Sequence, residues 1–152
     1  MIRCILLYCC LCFLCKLHAQ TTNVETYTTT IQTTNSDTAM LSALVKLTFD
    51  WVRNKPKDVL EQARFVLKKA NALGNKTLQE NAYHSIAQAY TSLRNYDSSK
   101  RYFTLALDAN LGTKDFALKG LMHHDFGYSY YQQNIFDSCL LHYHRSLELK
   151  KK

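Results

Sequence analysis

The feature that most constrains this chain is a pattern that recurs forty residues apart. Tyr83, Ile86, Ala87, Tyr90, Tyr96, Ser99, Phe103 and Ala106 return as His123, Phe126, Gly127, Tyr130, Phe136, Cys139, Tyr143 and Ser146. Large positions stay large, and small ones largely stay small. A fixed period in this range marks a repeat architecture, in which each unit buries its apolar face only by stacking on a neighbour. One proline and four glycines in 152 residues leave few helix breakers, which favours helices over a turn-rich β fold. Arrays of this kind usually bind and rarely catalyse.

The first nineteen residues stand apart. Arg3 precedes the twelve-residue apolar run Cys4 to Cys15, and Lys16, Leu17, His18 and Ala19 follow. A positive start, a short apolar stretch and a small residue form the layout of a secretory signal peptide. Cleavage after Ala19, and export to the periplasm or beyond, are therefore expected. Leu17 is larger than ideal, which leaves the cleavage point open. The alternative, a membrane anchor, would need more apolar residues to cross about 30 Å of hydrocarbon as a helix. Removing residues 1–19 takes five of the six cysteines and leaves Cys139, so no internal disulfide is expected. Cys139 fills the slot held by Ser99 one period earlier, which reads as a small buried residue rather than a reactive thiol. Loss of Arg3 and Lys16 lowers the formal charge from +7 to +5. The remaining cations are scattered or terminal, without the one-sided clustering of a nucleic-acid interface, so no nucleic-acid partner is expected.

Nine of the eighteen residues from Thr21 to Thr38 are threonine. Val24, Tyr27 and Ile31 stand too far apart there to build a core, so residues 20–36 are expected to be a linker. Helical periodicity begins at about Asp37, the expected N-cap of a helix reaching Arg53 with Leu41, Leu44, Leu47, Thr48 and Trp51 inward. A second helix runs from about Lys57 to Leu73, with Val59, Ala63, Val66, Leu67 and Ala70 inward and Gly74 as a left-handed C-cap. Thr77 and Glu80 fit a capping box that opens a third helix. Asp97 is placed to cap a fourth, ended by Gly112. A fifth runs from about Lys114 to Gln133, and Asp137 opens a sixth. The expectation is an all-α domain, residues 37–152, of six helices in three antiparallel pairs at about 37–74, 76–112 and 114–150. Asn75-Lys76-Thr77 is a glycosylation sequon in a turn.

Close helix crossings need small residues. Thr48, Ala87 and Gly127 recur in the first helix of each pair, and Val59, Ser99 and Cys139, then Val66, Ala106 and Ser146, in the second. Much larger side chains would push helix axes beyond about 8–10 Å. Trp51, Tyr90 and Tyr130 fill the space one turn further on. These residues carry a resemblance to the tetratricopeptide repeat (TPR) family, best over Asn81 to Leu107 and Leu121 to Leu147, with Leu44 to Leu67 as a divergent first copy. The resemblance implies a superhelical array that binds a protein or peptide on its concave face. The positions it carries over are Val45, Phe49 and Val52, then Asn81, His84, Gln88 and Thr91, then His124, Tyr128 and Tyr131. Aromatics with neutral hydrogen-bonding groups suit an extended peptide or a helix. The family's carboxylate-clamp set of lysine, asparagine and arginine is missing at the matching positions.

Leu47 to Leu60 resembles the opening repeat of exported sensor regions in bacterial two-component regulators. This implies an alternative, a truncated input region with a membrane-protein partner. The family usually closes its arrays with an extra capping helix, so self-association through the last pair is also expected. His123, His124, His142 and His144 fall together, but His142 and His144 diverge on a helix and no ligand spacing for zinc is present. No metal or cofactor is expected. Phosphate-binding glycine loops, HExxH and Gly-x-Ser-x-Gly are absent from the sequence, and His84-Ser85 has no third group to orient it, so no enzyme is expected.

Overall fold

The computed structural model describes residues 25–113 and 115–151, and among them the backbone is helical with no strand. A first helix, α1, covers residues 25–33. Six more follow: α2 (Asp37–Trp51), α3 (Pro56–Leu73), α4 (Lys76–Ser92), α5 (Tyr96–Thr113), α6 (Phe116–Gln132) and α7 (Phe136–Leu149). The expected leader over residues 1–19 lies outside the described residues.

Each helix packs on the next from α2 to α7, with α2 on α3 and α5 on α6 the less extensive contacts; α2 also meets α4, and α4 meets α6. Short turns force these neighbours, because two to four residues cannot carry the chain past the adjacent helix. One apolar core joins Ile31 of α1, Leu44 and Leu47 of α2, Val59 and Val66 of α3, and Leu78, Ala82 and Ile86 of α4. A second cluster centres on Ala87, Phe103 and Phe126, with Leu107 and Tyr130 packed against it. There Phe103 stacks on Phe126 at 4.9 Å and Phe126 on Tyr130 at 5.0 Å, ring centre to ring centre.

The threonine-rich segment departs from the linker expected over 20–36. Ile31 is fully buried, and Tyr27 packs against the same core. Tyr27 and Ile31 are four residues apart, so one helical turn places both on one face. Several threonines satisfy their hydroxyls within the helix: Thr30 Oγ1 donates to the Thr26 carbonyl at 2.7 Å and Thr33 Oγ1 to that of Thr29 at 2.8 Å. A polar composition concealed an apolar pair at helical spacing, and the described residues hold seven helices rather than six.

Helix starts also differ in detail. Ser36, not Asp37, caps α2, and Asn75, not Thr77, caps α4 by accepting from the Leu78 amide at 2.9 Å. Asn95, not Asp97, accepts from the Ser98 amide at 3.1 Å at the start of α5. In each case a short side chain just outside the helix reaches the free N–H groups, from extended backbone at Ser36 and Asn75. Asp97 and Asp137 instead lie in the first turns of α5 and α7, where a negative charge favours the helix dipole. Glu80, cast as the far half of a capping box, is fully buried and accepts from Asn110 Nδ2 at 3.2 Å. Asn75 also donates to Asp37 Oδ2 at 2.7 Å, so the sequon asparagine has its side-chain amide engaged on both atoms. Gly74 does end α3 in the left-handed conformation, with φ 65°, whereas α5 continues past Gly112 to Thr113.

The small slots lie at the crossings. Ala87, Ser99, Ala106, Gly127, Cys139 and Ser146 are all buried. A Cβ on Gly127 would stand 2.8 Å from the Tyr143 ring and 3.2 Å from the Cys139 carbonyl oxygen, whereas one on Gly120 would meet its nearest atoms at an ordinary 3.5 Å. Hydroxyls tie other slots together: Thr91 to Ser99 at 2.7 Å, and Ser99 to Ser129 at 3.3 Å.

These clearances set opposite outcomes for two glycine substitutions in α6. Gly127→Ala is expected to lower unfolding free energy by about 1–3 kcal/mol through overpacking. Gly120→Ala is expected to be neutral or to stabilise by up to about 1 kcal/mol through helix propensity. Urea denaturation of the two variants beside the parent measures both.

Candidate functional site

A cavity of about 520 Å³ opens along one side of the helix stack. Its lining comes from three alternate helices and their turns: Val52 and Arg53 after α2, Gln88, Thr91 and Arg94 in and after α4, and His124, Asp125 and Tyr128 of α6, with Tyr96 and Phe103 of α5 at its back. Of the residues singled out by sequence, the cavity gathers Val52, Gln88, Thr91, His124 and Tyr128. His84 is buried behind it. Phe49, Asn81 and Tyr131 are not in the lining. Phe49 is 89% exposed on α2, and Asn81 donates its amide to the Thr77 carbonyl at 2.8 Å. Tyr131 stacks on Tyr128 at 6.5 Å and extends the aromatic surface outward.

Asp125 organises the cavity floor. Its Oδ2 contacts His84 Nε2 at 2.8 Å and accepts from Gln88 Nε2 at 2.6 Å; its Oδ1 lies 3.0 Å from His124 Nδ1. His84 and Gln88 are four residues apart and so share one face of α4. A single carboxylate thus bridges α4 and α6. Burial would raise the Asp125 pKa, but hydrogen bonds from His84, His124 and Gln88, with the charge of His84, outweigh it and hold the carboxyl below its ordinary range. The nearby hydroxyls are occupied: Ser85 donates to the Asn81 carbonyl at 2.9 Å, and Thr91 to that of Ala87 at 3.1 Å.

Asp125 had no role in the sequence reading, yet the period contains the signal. One period earlier Asp125 is Ser85, whose hydroxyl accepts from Thr48 of α2 at 2.9 Å, so that position also reaches the preceding first helix. The bonds from Asp125 to α4 are that bridge with longer, charged chemistry. The cavity rim carries a second signal. Arg94 sits at φ 58°, and Asn134, forty residues on, at φ 60°. Asparagine tolerates this left-handed conformation, whereas most side chains pay about 1 kcal/mol for it. At the cavity mouth the chain places an arginine in that position.

A different histidine pair lies between α6 and α7. His123 Nδ1 and His142 Nδ1 are 3.0 Å apart, with His142 against Phe126 at 4.2 Å between ring centres. This pair replaces Tyr83 and Tyr102 of the preceding unit, whose rings stand 6.2 Å apart. His144 is exposed. Among the described residues, no group of three His, Cys, Asp or Glu side chains is arranged to hold a metal ion. An Nδ1–Nδ1 hydrogen bond needs one ring protonated at that atom and the other not, so at least one ring of the pair is neutral. Burial, then Arg145 and Lys119, push His123 down to about 4; burial, then His123 and Arg145, do the same for His142.

Comparison of the chain with models of protein families, with curated proteins and with solved structures finds no match.

The two imidazoles give stability a defined pH dependence. Their folded pKa of about 4 lies below the ordinary 6.5, so the unfolded chain takes up protons first as pH falls. Their contribution is complete above about pH 6.5 and is lost progressively towards pH 4. Urea midpoints measured between pH 7 and pH 4.5 are expected to fall. The double variant His123→Tyr/His142→Tyr, which restores the preceding unit's pair, is expected to flatten that decline. At the cavity floor, Asp125→Ala is expected to cost about 1–3 kcal/mol at pH 7, because Gln88 and His84 lose a buried partner. The same urea titration reads it.

Proposed function

We propose that this chain is an exported scaffold of the tetratricopeptide-repeat type that binds an extended peptide or protein segment in the cavity around Asp125. The observation that carries this reading is the lining itself. Two successive first helices of the expected pairs, α4 and α6, and the turn that follows α2 contribute to one cavity, in line with the ligand-binding face that the repeat resemblance implies. The surface pairs apolar area, from Val52, Tyr96 and Tyr128, with hydrogen-bonding groups from Gln88 and Gln132. Such a mixture suits a chain segment with alternating side chains and a free backbone.

The charge of the cavity points to an acidic segment. Asp125 is the carboxylate in the lining, and its oxygens are engaged by His84, Gln88 and His124. Arg53 and Arg94 stand at the rim. An incoming carboxylate meets two guanidinium groups, which bind it in a bidentate manner and steer its approach. Tyr128, stacked on Tyr131, offers an adjacent aromatic platform for an apolar side chain.

Fluorescence anisotropy with a labelled peptide of alternating glutamate, tyrosine and leucine, and with its glutamine-for-glutamate analogue, tests the reading. The acidic peptide is expected to bind at least about tenfold more tightly, a difference that shrinks at high salt. Arg94→Asn, which places a residue suited to the left-handed turn, is expected to keep the fold and lose about tenfold in affinity. Tyr128→Ala is expected to weaken both peptides alike. Equal binding of the two peptides, or undiminished binding by Arg94→Asn, would overturn the proposal.

A further inference from the structure

We infer that α7 carries a self-complementary seam through which two copies of this chain pair as a two-fold dimer, with their seventh helices antiparallel. The observation is a row of side chains at Phe136, Leu140, Tyr143 and Leu147. Their spacing of four, three and four residues is that of a coiled-coil seam. Phe136, Leu140 and Leu147 are 53%, 57% and 55% exposed, and Tyr143 is half-buried.

The preceding unit shows what this row is for. The matching positions are Tyr96, Lys100, Phe103 and Leu107. There Phe103 is fully buried and Leu107 packs beside it, both against Phe126 of α6. The row is therefore the side of a second helix that receives another helix. In α5 its second position is Lys100, an exposed charge. In α7 that position is Leu140, so the seam runs unbroken over three turns. An unbroken four-three-four seam favours a nearly parallel or antiparallel helix pair, at about 20°, over an oblique crossing.

The charges select the occupant and its direction. Asp137 lies in the first turn of α7, and Lys150 and Lys151 follow its last turn. An antiparallel pair of identical helices sets Asp137 at the start of each towards the end of the other, where Arg145, Lys150 and Lys151 outnumber Glu148. Their dipoles also oppose favourably. A parallel pair would set like charges together. A closed two-fold contact uses one surface twice and leaves none open.

Sedimentation of the chain as purified, across a hundredfold concentration range, tests this. A concentration-dependent monomer–dimer equilibrium is expected. Leu140→Lys, which restores the charge found one period earlier, is expected to weaken dimerisation by about tenfold or more with an unchanged circular dichroism spectrum. Phe49→Lys, on the exposed face of α2, is expected to leave the dimer intact. A parent that stays monomeric throughout would overturn the inference. So would open-ended oligomers, a dimer undisturbed by Leu140→Lys, or one abolished by Phe49→Lys.

Discussion

Helices in this chain lie close because the residues where they cross have almost no side chain, and every other property follows from that closeness. Gly127 has room for nothing beyond its hydrogens, with the Tyr143 ring and the Cys139 carbonyl against it. The same closeness at Ala87 and Ser99, where α4, α5 and α6 meet, lets Phe103, Phe126 and Tyr130 stack as a continuous aromatic column. It also brings α4 near enough to α6 for a carboxylate to reach both His84 and Gln88. Were the crossings wider, the aromatic rings would lose their faces and the cavity its floor.

The order of the helices was legible because burial repeats with the chain. Small and large positions forty residues apart face the same neighbours, so the sequence pattern carries the packing directly. Caps were less legible. Asp, Ser, Asn and Thr cluster near each helix start, and a one-residue shift exchanges a capping side chain for a first-turn charge. The helix at 25–33 was hidden by its threonines, since Ile31 contributes to a core drawn from distant parts of the chain.

The cavity was half legible. Val52, Gln88, Thr91, His124 and Tyr128 were among the positions that the repeat resemblance carried over, while Phe49 and Asn81 were carried over with them and lie outside the lining. Asp125 escaped notice because its significance is a relation between two helices, not a spacing within one. The same holds for His123 and His142, nineteen residues apart and in contact only once α6 and α7 fold together. Comparing each unit with its predecessor exposes both. At one, the bridge to the preceding first helix passes from the Ser85 hydroxyl to the Asp125 carboxylate; at the other, the phenols of Tyr83 and Tyr102 give way to the imidazoles of His123 and His142.

The Asp125 bridge also bears on how a guest would be received. The side chains of His84, Gln88 and His124 are held to one carboxylate before any ligand arrives. Their rotamer freedom is therefore already lost in the free protein, and the distance between α4 and α6 at the floor is fixed. A guest need not close the walls or order the floor, and the entropic penalty of association falls largely on the guest itself. Recognition on such a surface is selective by shape, with little tolerance for segments that would require it to widen.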